Sequence, residues 1–248
     1  MSSSCVLRRT ATERRPATRP ARSDGPATLL RHHTVRIPTL ETDRLVIREF
    51  TAADLDAAYG LLDVDLAGDD LATDGARTRD TRLRWLEWAA ASYEQLAYLR
   101  QPPYTDRAIT LHATGELVGA CGLVPCLGPF RQLPGWDAAG EAPEASVTQG
   151  GTALQGAQGP NRPARFTPEV GLFWAVASAH RRRGYAAEAA GALVTYAFDA
   201  LELLRVVATT RHDNMASVGV MRRLGMRVLS NPLPEPRWFQ VVGVLRTA

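Results

Sequence analysis

The sequence predicts an α/β domain built on a mixed sheet over about residues 38–248 of the 248-residue chain. Three observations carry that prediction. Val170–Val176 is an apolar run of strand length that passes through a short basic turn, His180–Gly184, directly into a helical pattern. In that pattern Ala190, Leu193, Val194, Ala197, Phe198 and Leu201 share one helix face. Arg205–Thr210 then reads as another strand, and a strand that returns to its sheet after a helix runs parallel to the first.

The earlier elements follow in order. Residues 1–37 mix Arg, Ser, Thr, Pro and Ala without apolar periodicity and read as a disordered, arginine-rich tail. Leu45 and Ile47 alternate with Arg44, Val46 and Arg48 as a half-buried strand. Thr51 to Asp54 has the spacing of a capping box, and Leu55, Ala58, Tyr59 and Leu62 follow at helical spacing. Past an acidic turn at Asp69-Asp70, a second helix is expected from Thr81 to Leu99. Ala108–His112 and Glu116–Val124 are strands joined at Thr114-Gly115, a hairpin signal. From about 127 to 168 the chain is rich in Gly, Pro, Gln and Ala, and reads as a flexible insertion that leaves and rejoins the sheet. Ser217–Leu224 is a short helix closed by Gly225, and Arg227–Leu229 and Trp238–Leu245 complete the strands.

Composition narrows the function classes. Hydrophobic residues at 45% and charged residues at 22% are ordinary for a globular protein. No apolar run approaches the ~20 residues a membrane span needs, and the N-terminus lacks the apolar core of a secretory signal. The expected compartment is the cytoplasm. The net charge of +3 is set by the tail: residues 1–36 carry eight Arg against Glu13 and Asp24, while the remainder has 21 Arg and 24 acids. A specific nucleic-acid surface is not expected on that acidic remainder. Every cation is Arg, most simply a codon bias. Three Cys (Cys5, Cys121, Cys126) make no disulfide framework, and no ligand set for a metal accompanies them.

The chemistry lies in the basic turn. A strand that turns into a helix presents free backbone N–H groups, and the helix dipole adds partial positive charge there. Gly184 lets a large anion approach the backbone, and Arg181, Arg182 and Arg183 can pair with phosphate oxygens. Neither a Walker loop nor a Gly-x-Gly-x2-Gly turn is present. Taken alone, the triple Arg reads equally well as a solvated turn.

The segment Arg181-x-x-Gly184-x-Ala186 resembles the Arg/Gln-x-x-Gly-x-Gly/Ala signature of the GNAT acetyltransferase superfamily. Arg211 to Met226, with Asn214 and Ser217, is similar to that family's next motif. Thr42-Asp-Arg44-Leu45-Val-Ile-Arg48 is typical of its RimJ/RimL-like branch. The resemblance covers about residues 38–126 and 168–248. It implies a mixed, mostly antiparallel sheet flanked by helices, with a splayed parallel pair at Val170–Val176 and Arg205–Thr210. Acetyl-CoA would be the co-substrate, with no metal. Its pantetheine would pair near Ala175 and Val176, and its pyrophosphate would rest on residues 182–186, including Tyr185 and Ala186. Asn214 would bridge the motifs or touch the cofactor. Glu169 would serve as base and Ser217, near the sulfur, as acid.

This chain departs from the pattern in three places. No Tyr follows residue 196, which excludes the family's usual tyrosine acid. Arg182 stands where Gly is common. Glu169 lies two residues further from Arg181 than the usual strand Glu, and a bulge would restore its aim. His180, His212 and the His32-His33 pair read as surface or turn residues. Trp85, Trp88 and Tyr93 read equally as core or as acceptor wall. The expected activity is N-acetylation of a primary amine, a protein N-terminus or a small molecule, by direct attack. Its partners are acetyl-CoA and that acceptor, not a membrane, with a homodimer left open. The alternatives are an idle acyl-CoA-binding sensor and RNA association through the tail.

Overall fold

The structure is a computed structural model that describes residues 36–67, 78–136 and 166–247. Among these residues, eight strands form one sheet: β1 (Leu40–Glu41), β2 (Leu45–Glu49), β3 (Thr105–Leu111), β4 (Leu117–Gly128), β5 (Thr167–Val176), β6 (Arg205–Thr210), β7 (Arg227–Ser230) and β8 (Val241–Arg246). Their order is β1-β2-β3-β4-β5-β6-β8-β7, antiparallel except for β5 and β6. The helices are α1 (Leu55–Tyr59), α2 (Arg79–Tyr98), α3 (Tyr185–Asp199) and α4 (Met215–Arg223). This is the mixed, mostly antiparallel architecture with one parallel pair that the family resemblance implies.

Two faces of the sheet carry separate cores. On one, Ala189, Ala190, Leu193 and Ala197 of α3 and Val218 and Met221 of α4 meet Ile47, Ile109, Cys121, Leu123 and Leu172. The small residues on α3 let it lie close to the strands, and Leu193 is fully buried. Burial of such a side chain contributes roughly 1.5–3 kcal/mol. On the other face, Ala58 of α1 and Leu86 of α2 pack on Phe50, Ala108 and Ala120. Tyr93 belongs to the structure rather than to an acceptor wall. Its hydroxyl accepts from the Phe50 N–H at 3.1 Å and donates to the Asp106 carbonyl at 2.5 Å. Trp85 packs edge-on against Phe50, whereas Trp88 faces solvent.

Several boundaries differ from the sequence reading. α1 continues as a π-helical turn over Gly60–Asp65, a wider winding often found at functional sites. Asp54 answers the capping-box expectation, accepting from the Thr51 N–H at 2.8 Å and also from Arg48. The chain around 127–168 is structured at both ends. β4 runs to Gly128 and β5 begins at Thr167. Phe130, Leu133 and Trp136 are buried with Phe239, Val207 and Val242 in a further cluster on the second face. Averaged composition hid these few anchors. Trp238 belongs to a 3-10 turn, Arg237–Phe239, and the last strand starts only at Val241. The tail expectation, the Asp69-Asp70 turn, His32-His33 and the remainder of the insertion lie outside the described residues. No described helix is long and apolar enough to cross a membrane.

Asp106 of β3 has an unusual environment. Burial raises its carboxyl to about 6, with the Arg82 guanidinium pulling the other way. Arg82 is itself committed to Asp63 at 2.6 and 2.8 Å. Because the folded value lies above the unfolded one, folding favours the protonated form. Its benefit is complete below about pH 4 and is lost as pH rises through 6. Asp106→Asn is therefore expected to raise stability by roughly 2–3 kcal/mol above pH 7 and by little at pH 4. Urea denaturation at both pH values checks this; an equal effect at both would disprove it.

Candidate active site

β5 and β6 share a single register pair, Gly171 with Val207. On its other side β5 stays paired with β4 from Gly128↔Thr167 to Gly119↔Val176, and β6 pairs with β8 along its length. Beyond Gly171 the two strands diverge, so Leu172–Val176 and Ala208–Thr210 border an open V. Ala175 and Val176 end the strand that borders the V, where an exposed edge can pair with a ligand's amide groups as a strand would. Gly119 lets β4 approach closely behind them, since a Cβ there would meet the Ala175 carbonyl oxygen at 2.4 Å.

At the mouth of the V the backbone is organised step by step. The Ala177 N–H donates to Val118, and the Ser178 N–H donates to the Asp65 carboxylate at 2.7 Å. That bond is the largest cause of a lowered Asp65 carboxyl, and it ties the π-helical turn to the end of β5. Arg181 is extended and Arg182 is left-handed at φ +60°, followed by left-handed Gly184 at φ +87°, which opens α3. Glu188 is the first residue of α3 whose N–H reaches back, to the Gly184 carbonyl. Among the described residues, no acceptor takes the N–H groups of residues 182–187. Arg181, Arg182, Arg183, Gly184, Tyr185 and Ala186 thus lie together at one turn, a cradle whose backbone donors could hold an anion. Arg44 and Arg223 flank it, with side-chain nitrogens 3.4 and 3.7 Å from where a Gly184 Cβ would sit.

The position that departs from the usual Gly now has a physical description. A left-handed Arg costs about 1 kcal/mol that Gly would not. Arg182→Gly is expected to raise stability by about that amount in equilibrium denaturation; a loss would mean that the Arg182 side chain stabilises the turn.

Residues 44–227 match the acetyltransferase (GNAT) domain family. The chain belongs to the GNAT acetyltransferase family. Among curated relatives of this GNAT protein is the uncharacterised N-acetyltransferase YnaD of Bacillus subtilis, 39% identical over 61 residues. That match spans 25% of this chain and only 35% of YnaD. The uncharacterised N-acetyltransferase YoaA of the same organism is 25% identical over 209 residues, covering 84% of this chain and 86% of YoaA. In fold the GNAT domain is similar to Mycobacterium smegmatis RimJ, solved in complex with CoA-disulfide. The TM-score is 0.51 at 16% identity, over 82% of each chain.

The remaining sequence-predicted residues are placed less simply within the GNAT domain. Asn214 caps α4: its Oδ1 accepts from the Ser217 N–H at 3.0 Å. Ser217 follows at the third position of α4, half-buried, with no described partner for its hydroxyl. Glu169 is not a solvated strand end, nor does a bulge re-aim it, since the β4–β5 register runs without a shift. Its side chain is only 5% exposed, and both oxygens accept from Arg205, at 2.6 and 2.5 Å. The Arg205 guanidinium lies 5.0 Å over the Trp136 ring. Arg181, an exposed residue, reaches back to the end of β5, its Nε donating to the Val176 carbonyl at 3.3 Å.

Sequence reasoning missed two features. Arg44 and Glu188 form a bidentate pair across 144 positions of sequence; the Thr42–Arg48 motif and the helix-start Glu were visible, but their pairing was not. A surface groove of about 540 Å³ opens beside Ala177, between α1 with its π-helical turn and the Gly115–Leu117 hairpin. Its charged lining is Asp54, Asp65 and Glu116 against Arg48. His180 sits between groove and cradle, its Nε2 3.1 Å from Glu116 and its Nδ1 buried without a partner among the described residues.

Proposed function

We propose that this protein is an N-acetyltransferase that moves an acetyl group from acetyl-CoA to a primary amine, a protein N-terminus or a small molecule. The observation that carries the reading is the run of uncommitted N–H groups at 182–187 beside a splayed strand edge. Those residues fit the co-substrate at both ends. Residues 182–187, helped by Arg183 and Arg223, would hold the pyrophosphate. The free edge at Ala175 and Val176 would pair with the pantetheine amides. Acetyl-CoA supplies an activated thioester.

The protein then has three tasks. It must hold an amine against that thioester, and proximity of this kind supplies much of such a rate. The acidic groove beside Ala177 attracts an ammonium. A backbone N–H near Val176 is the proposed donor to the thioester oxygen. Ser217, with its uncommitted hydroxyl, is the proposed proton donor to the departing thiolate. Glu169 is tied to Arg205, so proton loss from the amine is assigned to water. Placement in the cytoplasm belongs to the same proposal.

Thiol release from acetyl-CoA is the test, run over a panel of primary amines and peptide N-termini with product masses recorded. Amine-dependent release with an acetylated product is expected. CoA binding without turnover on any amine would instead favour the idle sensor.

A further inference from the structure

The Thr42-Asp-Arg44-Leu45 motif takes no part in the reaction just described, yet it makes several polar contacts beside the cradle. Thr42 Oγ1 donates to Glu188 at 2.6 Å, and the Arg44 backbone N–H reaches the same carboxylate at 3.2 Å. Arg44 Nε and Nη2 donate to it at 2.8 and 2.5 Å. The third guanidinium nitrogen, Nη1, donates to the Arg183 carbonyl at 3.0 Å, and the guanidinium lies 4.8 Å over the Tyr185 ring. One side chain thus touches three of the first residues of the turn and helix.

Two physical consequences follow. In a trans peptide the C=O and N–H point in opposite directions. Holding the Arg183 carbonyl toward Arg44 therefore turns the Gly184 N–H the other way. Glu188, one turn into α3, competes for the positive end of the helix with any anion bound there. Arg44 cancels that carboxylate's charge. Burial by itself would raise the Glu188 carboxyl, but the bonds from Thr42 and Arg44 outweigh it and hold it ionised.

We propose that Thr42, Arg44 and Glu188 form a latch that positions the pyrophosphate-binding turn, with Arg44 acting as a positioning residue that fixes the Arg183–Gly184 peptide and neutralises Glu188. The inference rests on the reading that this turn holds the pyrophosphate of CoA.

Calorimetric titration with CoA tests it. Arg44→Ala is expected to weaken CoA binding by about tenfold or more, and adding Glu188→Gln in that background should recover at least about threefold, because the carboxylate then no longer opposes the phosphates. Recovery is the outcome that an ordinary structural defect would not give. Arg44→Lys keeps charge but cannot fork across both acceptors, so an intermediate loss of about threefold is expected. It also serves should Arg44→Ala not fold.

CoA affinity unchanged in Arg44→Ala or Arg44→Lys would overturn the latch. Loss without recovery would overturn it too, and would make Arg44 a direct phosphate ligand. A wild type that binds no CoA would remove both the latch and the reading beneath it. Binding by the wild type with an unaffected Arg44 variant would remove the latch alone.

Discussion

Gly184→Asp is expected to weaken CoA binding by about 100-fold or more, the largest effect of any single change in the cradle. Asp tolerates the left-handed φ of +87° better than most residues, so the backbone turn should survive. The added charge is what matters. It would stand among the N–H groups of residues 182–187, where two like charges ~4 Å apart near a protein surface repel by roughly 4 kcal/mol. At about 1.4 kcal/mol per tenfold, that exceeds two powers of ten. The new carboxylate would also capture Arg44 and Arg223, whose nitrogens lie 3.4 and 3.7 Å from the Cβ position. Gly184→Asn is the matched control, equal in shape and uncharged, and should lose about tenfold or less. Arg182→Ala should lose less still, because its backbone donor remains. Equal losses in Gly184→Asp and Arg182→Ala would show that side chains, rather than the turn, hold the phosphates.

Arg205→Met is expected to lower stability by roughly 3–5 kcal/mol, a drop in Tm on the order of 10 °C, by stranding the Glu169 carboxylate in the interior. The cation over Trp136 is lost as well. Replacing both partners by Met should recover most of the loss, since a buried ion pair exchanged for packed apolar groups is often neutral. Urea denaturation of the single and double variants measures each quantity. The experiment also decides the part played by Glu169. If Arg205→Met costs less than about 1 kcal/mol, the pair is loose and the carboxylate is free to act as a base. If it costs the expected amount, Glu169 braces the foot of the V.

What was legible in the sequence was local. The β5–turn–α3 unit announced itself because an apolar run, a basic turn with Gly184 and a 3.6-residue periodicity lie within about thirty residues of one another. The parallel return of β6 followed from the handedness and reach of such crossovers. What was not legible depended on distance along the chain. The Arg44–Glu188 and Arg205–Glu169 pairs join residues 144 and 36 positions apart, and charge alone does not say which acid meets which base. The burial of Phe130 and Trp136 was concealed differently: two large rings in a Gly- and Pro-rich stretch barely move its composition, although they complete the packing beneath β6. The capping bond of Asn214 was also not drawn from the sequence, although a side-chain oxygen ahead of a helix commonly serves its own backbone.

The lone Gly171↔Val207 pairing has a consequence for how this protein avoids its neighbours. Unpaired strand edges invite other chains to add themselves, and soluble proteins usually shorten, charge or cover them. Here the inviting edges face each other in the middle of the sheet. Helices α3 and α4 close one face, and the strands meet again at Gly171. A stray β-strand would need backbone pairing along a straight border longer than this V offers. The proposed guest, a slender amide chain anchored by its phosphates at the mouth, would need only a short length of edge. Under the proposed function, the fold would turn an aggregation hazard into a filter that admits a guest by its thickness.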